Sequence, residues 1–116
     1  RGSHNPQGAT TLAATIKDLF KNKRVHLVLG ILKDKDVKGI CTILAPLANR
    51  ITCITPPSPR AMQKEELKCI VAPLCKGECS MQDDIKTAVQ NALNGDCNVT
   101  ILCGSLTLFS DLKTNE

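Results

Sequence analysis

Aromatic residues are almost absent from this 116-residue sequence: it has two Phe, no Tyr and no Trp. Without rings on which bases could stack, a platform for single-stranded nucleic acid is not the expected function. Long apolar runs are missing too. No stretch approaches the roughly 18 residues of a membrane span, and the first residues do not read as a signal peptide. The expected location is therefore the cytoplasm, with no membrane partner. An excess of one charge is also lacking. The formal net charge is +4, but basic and acidic residues alternate, leaving no polybasic stripe for a duplex or an anionic lipid surface. That balance suits small anions.

What remains is the composition of one ordinary globular domain, 42% apolar and 22% charged, with enough chain to build a core without staples. Cysteine is the exception, at seven residues. The number is odd, and most lie within apolar periodic segments, where a thiol behaves as a small hydrophobe. Cys75 and Cys79 have a spacing open to a metal or a disulfide. A metal site would need a second pair or a nearby His, and neither is present, so none is assigned.

In chain order, Asn5-Pro6 reads as a helix start, since Asn caps free amides and Pro fits the first helical position. Leu12, Ile16, Leu19 and Phe20 then share one helical face as far as about Lys21. The apolar run 25–31, bounded by Gly30, predicts a buried strand of a parallel sheet. A Lys-Asp-Lys-Asp turn follows, with Asp36 placed to cap a helix from Val37 that Pro46 stops. A second strand is expected at 51–55, a helix from Gln63 to about Ala72 and a short strand near 78–80. A fourth helix, capped by Ser80 with Asp83, carries Ile85, Ala88, Val89, Ala92 and Leu93 and ends at a left-handed Gly95. Residues 98–103 form a further strand, and a short helix is expected after it.

Helices alternating with short apolar strands predict a doubly wound α/β fold, with a mainly parallel sheet and helices on both faces. Such a domain ordinarily opens on a strand, so the strand preceding the first helix is expected to be missing. An edge left open in that way could pair two copies, although a monomer is the expected state.

Ligands of open α/β sheets sit beyond the carboxyl ends of the strands. Three such ends carry polar residues: Lys33 to Asp36, Ser58 to Arg60, and Gly104 with Ser105. His4-Asn5-Pro6 adds a helix N-terminus, whose free amides favour an anion. Lys35 is the first residue expected to meet a ligand, and the rigid Pro-Pro-Ser-Pro-Arg loop holds Arg60 at low entropic cost. Most charged turns after a strand are solvated connections with helix-capping duties, and that reading stands beside the functional one. There is no phosphate-binding glycine loop, dinucleotide fingerprint or nucleophile elbow. His26, inside an apolar strand, reads as a satisfied core histidine rather than a base. The residues describe the binding half of a site.

The segments Leu29-Gly30-Ile31-Leu32-Lys33-Asp34-Lys35-Asp36, Leu44-Ala45-Pro46-Leu47-Ala48, Thr55-Pro56-Pro57-Ser58-Pro59-Arg60-Ala61 and Cys103-Gly104-Ser105-Leu106 occur in that order. Together they resemble the C-terminal domain of the folylpolyglutamate synthase/dihydrofolate synthase family of the Mur ligase superfamily. The resemblance covers roughly residues 4 to 110. It implies part of an ATP-dependent amide ligase, in which a carboxylate of dihydropteroate or a folate becomes an acyl phosphate and L-glutamate attacks it. By the same resemblance, Lys35, Ser105 and His4 would bind glutamate, and Asn5, Asp34 and Arg60 would lie near the nucleotide. ATP and Mg2+ would be used by the complete enzyme, whose phosphate loop, magnesium ligands and pterin pocket belong to two other domains. No cofactor would be held by this domain alone, which would be catalytically silent.

One departure stands out. Arg1 occupies the position of the family's ribose-binding Asp, and Arg1-Gly2-Ser3-His4 has the form left by a cleaved expression tag. Residues 1–4 are thus tag or a truncated motif, and 5–116 the ligase-type domain. Two other readings compete: the matching domain of a peptidoglycan-type Mur ligase, and a free-standing binding module without ligase chemistry.

Overall fold

A computed structural model describes residues 6–103 and 111–114, without the side chains of 6–7 and 111–114. Alternating apolar segments resolve into α1 (Pro6–Leu19), β1 (Val25–Leu29), α2 (Val37–Leu44), β2 (Arg50–Cys53), α3 (Lys64–Val71), β3 (Glu78–Met81), α4 (Ile85–Asn94), β4 (Val99–Cys103) and β5 (Asp111–Thr114). After α2 the chain tightens into a 3₁₀ turn over Ala45–Leu47, where Pro46 cannot continue an α-helix.

The strands form one sheet in the order β3-β2-β1-β4-β5, parallel except for β5, which runs antiparallel to β4. The doubly wound, mainly parallel architecture predicted from the alternation is what the chain adopts. Period-two alternation within the strands divides the core. Val25, Leu27, Leu29, Ile51, Cys53, Val99, Ile101 and Cys103 point to the face covered by α1, α2 and α3. Val28, Ile54 and Leu102 point to the other face, under Ala88 and Ala92 of α4. β1 lies between two parallel neighbours and is buried along all five residues. Among the described residues no helix is long and apolar enough to cross a membrane.

Several local expectations are corrected. The first helix buries Ala9, Leu12, Ala13 and Ile16, but Leu19 is 62% exposed. Phe20, one position on, takes the contact with the core instead. α4 is capped by Asp84, which accepts from the Thr87 amide at 3.0 Å, and not by Ser80 with Asp83. Ser80 is committed to β3, which runs on to Met81, leaving Asp84 as the first residue free to cap. Gly95 ends α4 in an extended conformation with φ −82°, not a left-handed one. The expected helix after β4 is contradicted at 111–114, where the chain pairs as β5.

Candidate functional site

Strand order reverses between β1 and β4: the chain first builds outward through β2 to β3, then returns to the other side of β1. In open α/β sheets such a switch point opens a crevice at the carboxyl ends of the strands, because the two flanking connections depart in opposite directions. Here the Gly30 amide donates to the Cys103 carbonyl at 3.1 Å, closing the sheet just below that crevice. A Cβ on Gly30 would lie 3.0 Å from Pro56 Cγ and 3.1 Å from the Ile54 side chain. Glycine therefore lets the β2 exit loop lie directly against β1.

Two connections meet at this edge. Beyond Gly30, Ile31 and Leu32 remain buried, and the chain turns sharply, with the Lys35 amide donating to the Leu32 carbonyl at 3.2 Å. Asp36 Oδ1 accepts from the Gly39 amide at 3.1 Å, the cap expected at the start of α2. The proline-rich loop after β2 folds back onto this turn. Leu32 and Ala61 form an isolated antiparallel bridge, the Met62 amide donates to Ile31, and the Lys33 amide to Arg60. Ser58 rigidifies the loop from within, its Oγ accepting from the Arg60 amide at 3.2 Å.

The two turns are joined at their tips, where an Arg60 guanidinium nitrogen lies 2.7 Å from Asp34 Oδ2. Both side chains are more than half exposed, so the contact contributes little to stability and mainly fixes where the guanidinium points. Lys35 is half-buried and has no ion-pair partner among the described residues. Among the described residues the outcome is a lysine without an ion-pair partner in the same turn as an oriented arginine–carboxylate pair, a set suited to carboxylate and phosphate oxygens.

Lys35, Asp34 and Arg60 are thus brought to one edge. His4, Asn5 and Ser105 lie outside the described residues. Two further contacts on the same edge escaped the sequence reading. Thr55 Oγ1 accepts from the Lys64 amide at 2.8 Å and caps α3 across nine residues. Lys64 Nζ lies 3.0 Å from Asp83 and 3.3 Å from Glu65. Bonding to Asp83, then to Glu65, holds the Lys64 ammonium above the usual lysine range.

His26 lies outside this edge. It is 8% exposed, with Nε2 2.8 Å from Thr52 Oγ1, and it is the satisfied core histidine that its apolar strand implied. Burial, reinforced by the Arg50 charge, lowers its pKa. The seven cysteines are free thiols. Burial pushes Cys41 and Cys103 up to about 12, which leaves them without thiolate character at neutral pH. Cys75 Sγ donates to the Glu78 carbonyl at 3.6 Å. Among the described residues no group of three His, Cys, Asp or Glu is placed to hold a metal ion.

A doubly wound, mainly parallel sheet with two interlocked loops at its switch point defines the class: a Rossmann-like α/β domain. The chain belongs to the Mur ligase, glutamate ligase domain family, whose model matches residues 2–106. It is 29% identical over 112 residues to the dihydrofolate synthase/folylpolyglutamate synthase of Bacillus subtilis, covering 97% of this chain and 26% of that protein. Among solved structures it is similar to Escherichia coli FolC in complex with ADP, with TM-score 0.75, 30% identity and coverage of 89% of this chain and 24% of that one. It is also similar to the bifunctional folylpolyglutamate synthase/dihydrofolate synthase of Yersinia pestis complexed with AMPPNP and a Mn ion. There the TM-score is 0.73 and the identity 26%, over 89% of this chain and 24% of that one. The chain thus spans about a quarter of the length of these relatives.

Proposed function

We propose that this chain is the C-terminal domain of an ATP-dependent ligase that adds L-glutamate to folate or dihydropteroate in the cytoplasm. The observation that carries the reading is the interlocked edge: Lys35, without an ion-pair partner among the described residues, in the same turn as the Asp34–Arg60 pair, in a chain of the glutamate ligase domain family. In the complete enzyme ATP phosphorylates the acceptor carboxylate and ADP leaves. The unprotonated amine of glutamate then attacks the acyl carbon and expels phosphate. This domain closes over the nucleotide and supplies the glutamate site.

Within that scheme Lys35 neutralises a carboxylate of the incoming glutamate, and Ser105 and His4 take the same ligand. Arg60, Asp34 and Asn5 face the nucleotide. The residue types suit these roles, since a guanidinium fork matches phosphate oxygens, whereas a lysine acts as a point charge. Mg2+ and the ATP phosphates are held by other parts of the longer enzyme. The 116-residue chain alone is expected to show no ligase activity.

The test uses the full-length parent. Lys35→Ala is expected to raise KM for glutamate about tenfold or more, as for the loss of a charged hydrogen bond. KM for ATP and the melting temperature should stay as in wild type. An unchanged glutamate KM removes Lys35 from the site. A parent that consumes no ATP and incorporates no glutamate with either acceptor overturns the ligase reading, and glutamate-independent ligation of another amino acid to a cell-wall precursor would favour the peptidoglycan-type alternative.

A further inference from the structure

The opposite edge of the sheet, where the parallel strands begin, carries a cationic surface that the ligase scheme leaves unused. One hollow of ≈ 380 Å³ opens among Arg24, Asn49, Arg50, Lys76, Gly77 and Glu78. A second, of ≈ 330 Å³, shares Arg24, Asn49 and Lys76 with it and continues past Lys17, Lys21 and Lys23 at the end of α1. Six cations therefore line one continuous trough; among the described residues Glu78 is the acid in its walls, and Asp96 pairs with Arg24 and Arg50 beside it.

The trough is built on fixed backbone. Asn49 Oδ1 accepts from the Val25 amide at 2.8 Å, and Asn98 Oδ1 from the Arg24 amide at 2.9 Å, so the start of β1 is pinned to the starts of β2 and β4. Gly77 crosses so close to Asn49 that a Cβ there would collide with the Asn49 carbonyl oxygen. The absence of a side chain at 77 lets the two backbones cross this closely. Arg24 and Arg50 are held by Asp96 and Glu78 at 3.2–3.8 Å. Lys17, Lys21, Lys23 and Lys76 are exposed and have no ion-pair partner among the described residues. Part of this charge offsets the carbonyl ends of α1 and α3, which finish at this edge. Four lysines in a row go beyond that need. All four line the second hollow and Lys76 also reaches the first, a spread that matches a chain of carboxylates rather than a single phosphate.

We infer that this trough binds the poly-γ-glutamate tail of the product. The inference rests on the ligase reading above, since such a ligase makes a polymer that gains one carboxylate with each addition. α1 runs between the two edges and, at 14 residues, is about 21 Å long, so only a tail of several residues reaches from the reaction edge to the trough. Long products are thereby held and short ones released.

Fluorescein-labelled penta-γ-glutamate titrated into the 116-residue chain at low salt reads the site directly. Binding is expected to be saturable and to weaken about tenfold in Lys21→Glu/Lys76→Glu, where attraction becomes repulsion. It should stay within about twofold in Lys38→Glu/Lys86→Glu, which changes the net charge equally elsewhere. No saturable binding, or equal weakening in both double variants, overturns the inference. Tighter binding of an α-linked glutamate peptide, inorganic tripolyphosphate or a short RNA would overturn the assignment of the tail as occupant. Glutamate incorporation by the full-length parent separates the two ideas. Ligation without tail binding sinks only this inference, whereas tail binding by a parent that ligates nothing leaves an anion surface with no product to hold.

Discussion

An imidazole in the middle of a buried parallel strand makes the stability of this domain depend on pH. His26 stays neutral because burial and the nearby Arg50 outweigh the opposing charges of Glu78 and Asp96, and Thr52 satisfies its Nε2. Its pKa in the folded chain lies below the unfolded value near 6.5. Above that value both states are neutral at this group and its effect is nil. As pH falls below about 6.5 the unfolded chain takes up the proton first, so stability declines until the folded pKa is reached. Melting temperatures followed from pH 7.5 to pH 5 should fall, and a His26→Gln variant should show a shallower fall. Equal slopes in both proteins would assign the dependence to other groups. Thr100, the register partner of His26 on β4, has a buried hydroxyl without a partner among the described residues.

At the scale of the elements, the proline-rich connection between β2 and α3 behaves as part of the scaffold. Thr55 closes it by capping α3, while Lys33 and Ile31 hold its far side through backbone bonds. Thr55→Val keeps the shape and removes the acceptor. It is expected to cost about 1 kcal/mol, the usual loss of an N-cap, measurable by urea unfolding of the 116-residue chain. A loss near zero would mean that the loop holds itself. This contact also marks what a sequence can reveal. Periodicity made the four helices and the parallel strands legible, and Asp36 was legible as a cap because its partner is three residues away. Thr55 reaches nine residues and Arg60 meets Asp34 across twenty-six, distances that only the folded sheet closes. Asp34 and Arg60 could each be singled out from their strand ends, but not as a pair. The tetrapeptide at β5 is too short to carry a period of either kind, so its strand pairing with β4 was unreadable.

For the molecule as a whole, β1 has a parallel neighbour on each side and helices over both faces, whereas β3 is an edge strand with mostly exposed side chains. Hydrogen exchange should follow that order, with the amides of β1 slowest and those of β3 fastest among the parallel strands. Uniform protection across the sheet would count against this gradient. The gradient has a consequence for a severed chain. Among the described residues, the exposed turn at Lys76, next to the edge strand β3, is an expected site of protease cleavage. Both loops that meet at Asp34 and Arg60 precede that cut, and β4 remains paired with β1 after it. A nicked molecule would thus lose the cationic trough before it lost the edge where glutamate is proposed to bind, leaving two functions separable by a single scission.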